Sequence, residues 1–176
     1  MKGRMTLFVD ASFHPQSGAG GWGSWAIRDE WPQGVFQGGP IRFKAHEIDN
    51  SNTAELAGIA LALWSHNQQG HLVDLDEVMI QCDNVAALSC IHKRVPRTRI
   101  VTQRGIFIGK TSWNNPVVPI ILDTIKSTLA STRVALKHVK GHSDPRKDGR
   151  SWVNMQCDRE ARKHMSAMRK ELSVVT

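Results

Sequence analysis

The chain has 176 residues, 40% hydrophobic and 22% charged, a composition typical of one domain that spans residues 1–176. Lys and Arg outnumber Asp and Glu by 23 to 16, and the resulting formal charge of +7 favours polyanionic partners. Because no apolar run approaches the ~20 residues of a membrane-spanning helix and no signal-peptide cleavage site follows the N-terminus, we expect a cytoplasmic protein without a membrane partner.

Three predicted strands open the chain. A short run of β-prone residues at 6–9 ends on Asp10, and the glycine-rich segment 18–23 is interpreted as a turn or bulge. A second strand is predicted at 21–27 and a third at 34–46, interrupted by two glycines and a proline. The short connections between these strands indicate an antiparallel meander.

A crossover helix and a parallel strand follow the meander. Residues 52–69 leave almost no polar face, which is typical of a buried helix. The apolar run 77–82 predicts a buried parallel strand that ends at Asp83, and a short helix at 84–92 has Asn84 as its candidate N-cap.

The second half of the chain begins with a basic segment. Between Asn84 and Leu122 there is no acidic residue, and the stretch 95–113 has little regular pattern apart from some strand character at 105–108. A helix at 116–131, a strand at 133–139 and a last helix at 152–172 complete the chain. This order predicts an α/β fold with a five-stranded mixed sheet, three antiparallel strands and then parallel ones, flanked by helices.

Four acidic residues fall where the predicted elements could bring them together. Asp10 and Asp83 each end a strand, and if those strands are parallel neighbours both carboxylates lie at the sheet edge where α/β folds bind ligands. Glu55 lies in the first turn of the crossover helix, and Asp158 lies in the first turns of the last helix, at the border of its apolar face.

A cluster of carboxylates is a candidate site for a divalent cation. Neighbouring carboxylates repel each other, and a bound cation keeps them ionised. Oxygen ligands without His or Cys favour Mg²⁺, with Mn²⁺ as a possible substitute, and the three cysteines have no C-x-x-C spacing that would indicate zinc. Two such ions roughly 4 Å apart can activate a water and stabilise the leaving oxygen of a phosphodiester.

Each carboxylate also has a structural interpretation. Asp10 and Asp83 could simply start turns, and Asp158 could be a solvated helix residue. The spacing from Asn52 to Glu55 resembles a capping box. The functional interpretation therefore depends on the joint pattern of four residues.

Five motifs carry a family resemblance: FVDASF, SNTAELAGIALAL, IQCDN, HVKGHSDP and VNMQCDREAR. In this order, from Leu7 to about Ala167, they resemble the successive motifs of type 1 ribonuclease H. The resemblance implies the RNase H-like fold and cleavage of the RNA strand of RNA–DNA hybrids by two-metal-ion hydrolysis, which leaves 5′-phosphate and 3′-hydroxyl ends. It implies that two Mg²⁺ ions are held by Asp10, Glu55, Asp83 and Asp158. A monomer without a small-molecule organic cofactor is expected.

The resemblance also assigns residues that contact the reaction or the substrate. His142 matches a mobile-loop histidine that helps protons move and product leave, although the loop after it is longer than the family's. Nucleic-acid contacts are expected at Ser12, Asn52, Asn84 and Asn154. Four basic residues and a tryptophan in the segment that follows Asp83 would contact successive phosphates of the DNA strand: Lys93, Arg94, Arg97, Lys110 and Trp113.

Several alternatives remain open at this point. Asn52 and Asn84 could be helix caps, and the basic segment could be a solvated loop. The chain could be a DNA-directed nuclease of the same fold, such as a junction resolvase or integrase-like enzyme, which the need for a 2′-hydroxyl would discriminate. It could also be a non-catalytic nucleic-acid-binding domain, an alternative that the presence of all four carboxylates disfavours.

Overall fold

The computed structural model describes residues 3–43, 48–101, 113–141, 144 and 146–175. The predicted strand at 105–108 and the end of the third predicted strand lie outside the described residues. The described strands are β1 (Gly3–His14), β2 (Ala19–Arg28), β3 (Val35–Pro40), β4 (Leu75–Cys82), β5 (Thr98–Ile100) and β6 (Arg133–His138). The described helices are α1 (Ser51–Gln68), α2 (Val85–Arg94), α3 (Val117–Leu129) and α4 (Gly149–Val174).

The strands form one mixed sheet in the order β3-β2-β1-β4-β6-β5. The first three pair antiparallel, whereas β4 pairs parallel to β1 and to β6, and β5 pairs parallel to β6. The predicted meander followed by parallel strands is thus confirmed, and so is the α/β class. The predicted number of strands was wrong, because the described sheet has six strands.

The additional strand, β5, lies in the basic segment that showed little regular pattern. It has only three residues, too few for a periodicity to be visible. Backbone hydrogen bonds flank it, from the Val134 N–H to the Arg97 carbonyl (3.0 Å) and from the Val101 N–H to the Leu136 carbonyl (2.7 Å). Arg99 anchors it further by donating two hydrogen bonds, of 2.9 and 2.8 Å, to the buried carboxylate of Glu77 on β4. Tertiary contacts, rather than local propensity, form this strand.

The first two strands are longer than predicted. Asp10 lies inside β1, paired with Gly23 of β2, and not at the end of a strand. Most of the glycine-rich segment, interpreted as a turn, belongs to β2, and the turn itself lies at residues 15–18. Glycine inside a strand often marks a place where another backbone approaches closely, and this explains the departure from the simple turn signal.

Helices cover both faces of the sheet. α1 packs on one face against β1, β2, α2 and α3, and most of its residues are buried, as predicted for a helix without a polar side. α4 packs on the opposite face across β1, β2 and β3. None of the helices in the described part of the chain has the length and apolar character of a membrane span.

The backbone of α4 lies directly against β2 at two glycines. A Cβ atom on Gly23 would lie 2.3 Å from the carbonyl oxygen of Cys157, and one on Gly21 would lie 2.2 Å from that of Ala161. Real Cβ contacts are never this short, so only glycine permits the approach. The contact places the third turn of α4 over the middle of β1, where Asp10 lies.

Side-chain caps set the starts of three helices. Asn50, Asn84 and Asp148 accept hydrogen bonds from backbone N–H groups in the first turns of α1, α2 and α4. The predicted cap of α2 is confirmed. The last helix begins three residues earlier than predicted, because Asp148 accepts a 2.7 Å hydrogen bond from the Ser151 N–H and caps the helix there. The first turn is polar, so the apolar periodicity used for the prediction did not include it.

We predict that Gly23→Ala lowers the free energy of unfolding by about 1–3 kcal/mol, since the added methyl group forces α4 away from the sheet. Urea denaturation measures the change. Gly149→Ala is the matched control, because a Cβ at Gly149 meets no atom within 4 Å. Equal stability of the two variants would contradict the contact between α4 and β2.

Candidate metal centre

Asp10 and Asp83 lie at the same edge of the sheet. The parallel pairing of β1 with β4 ends at Phe8 and Gln81, and two further residues along each strand lead to Asp10 and Asp83. β1 continues beyond β4 because it still pairs with β2. The predicted shared edge is therefore correct, although only Asp83 directly follows a strand end.

Glu55 reaches this edge from α1. The Ala11 N–H donates to Asp10 Oδ1 (2.9 Å) and to Glu55 Oε1 (3.3 Å), so one backbone group holds both carboxyls. Asn50, and not Asn52, caps α1, and Glu55 is the fifth helical residue rather than a member of the first turn. The capping-box interpretation was therefore wrong, and Glu55 is buried beside Asp10 instead.

Burial and mutual repulsion disfavour the charged forms of Asp10 and Glu55. Asp10 is 7% exposed and Glu55 is 8% exposed. Burial, with the charges of Asp83 and Asp158, raises the pKa of Asp10 to about 7. Burial, with the charges of Asp10 and Asp83, raises the pKa of Glu55 well above its usual range. A side-chain hydrogen bond between the two carboxyls lowers the pKa of Asp10 and raises that of Glu55.

Asp158 completes the group from α4. Its charge contributes to the raised pKa of Asp10, which places it within electrostatic reach of that carboxyl. It is half-buried and forms a 3.1 Å ion pair with Arg162, one helical turn later. The glycine contact of α4 holds this turn against the sheet, so Asp158 is partly exposed and still close to Asp10.

Two residues near Asp83 were missed by sequence reasoning. A Cβ on Gly141 would lie 2.5 Å from Asp83 Oδ2, so the chain after β6 passes directly over this carboxylate. His138 Nε2 hydrogen-bonds to the backbone carbonyl of Asp83 (3.0 Å). The glycine between Lys140 and His142 was the only local signal for this close approach, and no spacing rule indicates His138.

A thiol also borders the site. Cys82 Sγ donates a weak hydrogen bond to Glu55 Oε2 (3.7 Å), and one ligand atom each of Glu55, Cys82 and Asp83 lie within 4.8 Å of one another. All three cysteines are buried and free. From the sequence, the cysteines were considered only as zinc ligands, and this contact of Cys82 with α1 was not predicted.

The donor set fits a divalent cation. Burial and neighbouring carboxylates raise the pKa of both Asp10 and Glu55, and a bound cation would offset the cost of ionising them. Oxygen donors from β1, α1, the end of β4 and α4 are the ligands that hard cations prefer. Asp10, Glu55, Asp83 and Asp158 could together hold such an ion.

Three of the expected nucleic-acid contacts lie beside this centre. Ser12 lies two residues beyond Asp10 and shares its face of β1. Asn84 Oδ1 accepts the N-cap bond from the Ala87 N–H, and Asn84 Nδ2 donates to Asn52 Oδ1 (2.9 Å). Asn84 is therefore a cap, as one interpretation had it, and it also orients Asn52.

The remaining expected contacts lie at several places. Asn154 is half-buried, one turn before Asp158 on α4. Lys93, Arg94 and Arg97 are exposed on an open surface depression around the end of α2. Trp113 is half-buried and packs against the main core. His142 and Lys110 lie outside the described residues.

We predict that Asp10→Asn stabilises the metal-free protein in a pH-dependent way. Unfolded Asp ionises near pH 4, whereas folded Asp10 keeps its proton up to about pH 7. The unfolded chain therefore binds fewer protons between these values, and the free energy of unfolding falls as the pH rises through this window. In EDTA the substitution should add about 1–3 kcal/mol at pH 8 and little at pH 4.

Urea denaturation at both pH values measures this effect. Asp123→Asn, on the exposed side of α3, is the matched control. A gain as large at pH 4 as at pH 8 would show that removal of a buried charge is not the cause.

We also predict that Gly141→Ala weakens the binding of Mg²⁺ by about 10-fold or more while the protein stays folded. The new methyl group would displace the carboxylate of Asp83, and about 1.4 kcal/mol of lost interaction corresponds to tenfold in affinity. Isothermal titration calorimetry gives the affinity, with Gly149→Ala as the control. Unchanged Mg²⁺ affinity in Gly141→Ala would separate Asp83 from the cation site.

Comparison with known proteins agrees with this geometry. The model of the RNase H family matches residues 2–166. No match was found among curated protein sequences. The N-terminal RNase H domain of Rv2228c from Mycobacterium tuberculosis, solved as a fusion with maltose binding protein, is 14% identical with a TM-score of 0.63, and the match covers 96% of this chain and 97% of that one.

Two further solved structures share the fold. RNase H1 from the halophilic archaeon Halobacterium salinarum is 15% identical with a TM-score of 0.58, over 93% of this chain and 98% of that one. LC11-RNase H1, solved in complex with an RNA/DNA hybrid, is 13% identical with a TM-score of 0.62, over 93% of this chain and 97% of that one. With the family model spanning nearly the whole sequence, the chain belongs to the RNase H family.

Proposed function

We propose that this protein is an endoribonuclease that cleaves the RNA strand of RNA–DNA hybrids and leaves 5′-phosphate and 3′-hydroxyl ends. The convergence of Asp10, Glu55, Asp83 and Asp158 from four separate elements carries the proposal. Membership of the RNase H family supports a nuclease, and the hybrid bound in the LC11-RNase H1 structure supports the substrate.

The four carboxylates would hold two Mg²⁺ ions, with Mn²⁺ as a substitute. Bound there, such ions supply the activation of a water and the stabilisation of the leaving oxygen. The Ala11 N–H orients Asp10 and Glu55 toward each other. The absence of a side chain at Gly141 lets the chain after β6 pass close to Asp83 without displacing its carboxylate. No organic cofactor is required by this chemistry.

We assign His142 to proton transfer and product release near this centre. The described residue before it, Gly141, is in contact with Asp83, so the loop begins at the metal centre. A neutral or charged imidazole is available near physiological pH to exchange a proton with the leaving oxygen.

Substrate recognition would use polar side chains beside the carboxylates and cations at the end of α2. Ser12 and the hydrogen-bonded pair Asn52–Asn84 flank the carboxylates, where they could contact 2′-hydroxyls and sugars in the shallow minor groove of a hybrid. Lys93, Arg94 and Arg97 lie at the far end of the helix that Asn84 caps, and they would follow the DNA strand. Lys110 and Trp113, which come later in the sequence, are proposed to contact the same strand. A single catalytic domain, monomeric and cytoplasmic, completes the proposal.

We predict Mg²⁺-dependent cleavage of the RNA strand in a labelled RNA–DNA hybrid, measured by gel electrophoresis of the products. Asp83→Asn should lower the rate by at least about 100-fold, because ~3 kcal/mol of lost transition-state stabilisation has this effect. EDTA should abolish cleavage, and the product ends can be identified by their susceptibility to phosphatase and ligase.

An all-DNA duplex and a DNA junction of the same sequence are the substrate controls. Asp123→Asn is the protein control, since its carboxylate lies on the exposed side of α3. Comparable cleavage of the all-DNA substrates would favour a DNA-directed nuclease, and undiminished cleavage by Asp83→Asn would rule out the assigned centre.

A further inference from the structure

A cavity of about 240 Å³ lies between the end of β6 and the first turns of α4. We call this cavity the basic recess. Its polar lining includes Lys137, Lys140, Arg150, Ser151 and Asn154. Of these residues only Asn154 was expected to contact nucleic acid. The basic recess is separate from the basic surface around the end of α2.

The basic recess adjoins the carboxylates on both of its sides. On the β6 side, His138 is bonded to the Asp83 carbonyl, and the Val139 N–H donates to the Cys82 carbonyl (3.0 Å). On the α4 side, Asn154 precedes Asp158 by four residues, which is about 6 Å along a helix axis. The near side of the recess, at Asn154, therefore lies one helical turn from Asp158.

The charges in the basic recess are arranged to receive an anion. Its lining holds three cationic side chains and one carboxylate, that of Asp148, which accepts the N-cap hydrogen bond from the Ser151 N–H. Burial and the neighbouring charge of Arg150 lower the pKa of Lys137, so these two cations repel each other. The positive end of the α4 dipole adds to this field, because the recess lies at the start of a 26-residue helix.

We propose that the basic recess binds a phosphate of the strand that is cut, a few nucleotides from the scissile phosphate. Arg150 precedes Asp158 by eight residues, about 12 Å along a helix axis, and at a rise of about 3.4 Å per nucleotide along one strand this distance spans a few nucleotides. Lys137 and Arg150 bind the phosphate, and Asn154 lies between it and the metal centre. This subsite rests on the proposed function, and it fixes the register of the RNA strand over the carboxylates.

The first test compares two double variants with the same change in net charge. Lys137→Gln with Arg150→Gln removes the cations of the basic recess, whereas Lys126→Gln with Arg169→Gln removes exposed cations on α3 and at the far end of α4. Binding of a fluorescent RNA–DNA hybrid is measured by anisotropy in Ca²⁺ at several salt concentrations. The recess variant should bind about 10-fold more weakly with a salt slope reduced by about 1, and the control should change less than about 2-fold.

The second test locates the phosphate. A single uncharged methylphosphonate is placed at successive positions of the RNA strand, and the binding affinity is measured for each. In the wild type, one replacement, a few nucleotides from the cleavage position, should weaken binding by about 3-fold or more, and in the recess variant the same replacement should have no further effect. Coupling to a methylphosphonate in the DNA strand instead would overturn the assignment to the cut strand.

Cleavage of the unmodified hybrid in Mg²⁺ separates the two proposals. A wild type that cleaves, together with unchanged affinity in the recess variant, would overturn the basic recess alone. A wild type that binds but does not cleave, with binding lost in the recess variant, would support the recess and overturn the nuclease. Circular dichroism verifies folding, and Arg150→Gln alone replaces the double variant if the latter is unfolded, because Arg150 is exposed.

Discussion

The mutual repulsion of buried carboxylates is the constraint on which the rest of this structure depends. Asp10 and Glu55 lie where little water reaches them, and Asp83 and Asp158 add negative charge to the same edge. Bringing such groups together costs free energy, which the remainder of the fold must offset. The nearly continuous burial of α1 and the hydrogen bond from the Ala11 N–H help to offset this cost. A cation that binds the folded state alone would stabilise it further.

Backbone geometry, rather than side-chain attraction, holds the repelling groups at their distances. α4 carries Asp158 and cannot be drawn to Asp10 by charge, so its position comes from the close contact at Gly21 and Gly23. Gly141 plays the corresponding role for the chain that crosses Asp83. At these three positions a side chain is excluded, and the absence of a Cβ atom on one element determines where a carboxylate on another element lies.

This division explains what could be predicted from sequence. The apolar character of α1 and β4, the cap at Asn84 and the parallel pairing of β1 with β4 follow from local patterns, and they sufficed to place Asp10 and Asp83 at one edge. β5 could not be predicted, since three residues carry no periodicity and Glu77, its anchor, is distant in sequence.

The same limit applied to the site. Glu55 fits a capping box as well as a ligand, and only the position of Asn50 as the true cap decides between them. The glycines of β2 were interpreted as a turn because a turn is the commoner reason for several glycines close together. Their actual partner, α4, begins more than a hundred residues later, and no local pattern connects the two.

The surroundings of the carboxylates show how an acidic centre can receive a polyanion. A phosphodiester approaching Asp10 and Asp83 without cations meets negative charge, so the carboxylates alone oppose the binding of nucleic acid. Under the proposed function, cations in the basic recess and around the end of α2 would attract neighbouring phosphates while the centre itself repels. Metal ions that neutralise the carboxylates would remove this local opposition. Metal and nucleic acid should therefore strengthen each other's binding, because each reduces the electrostatic cost that the other meets.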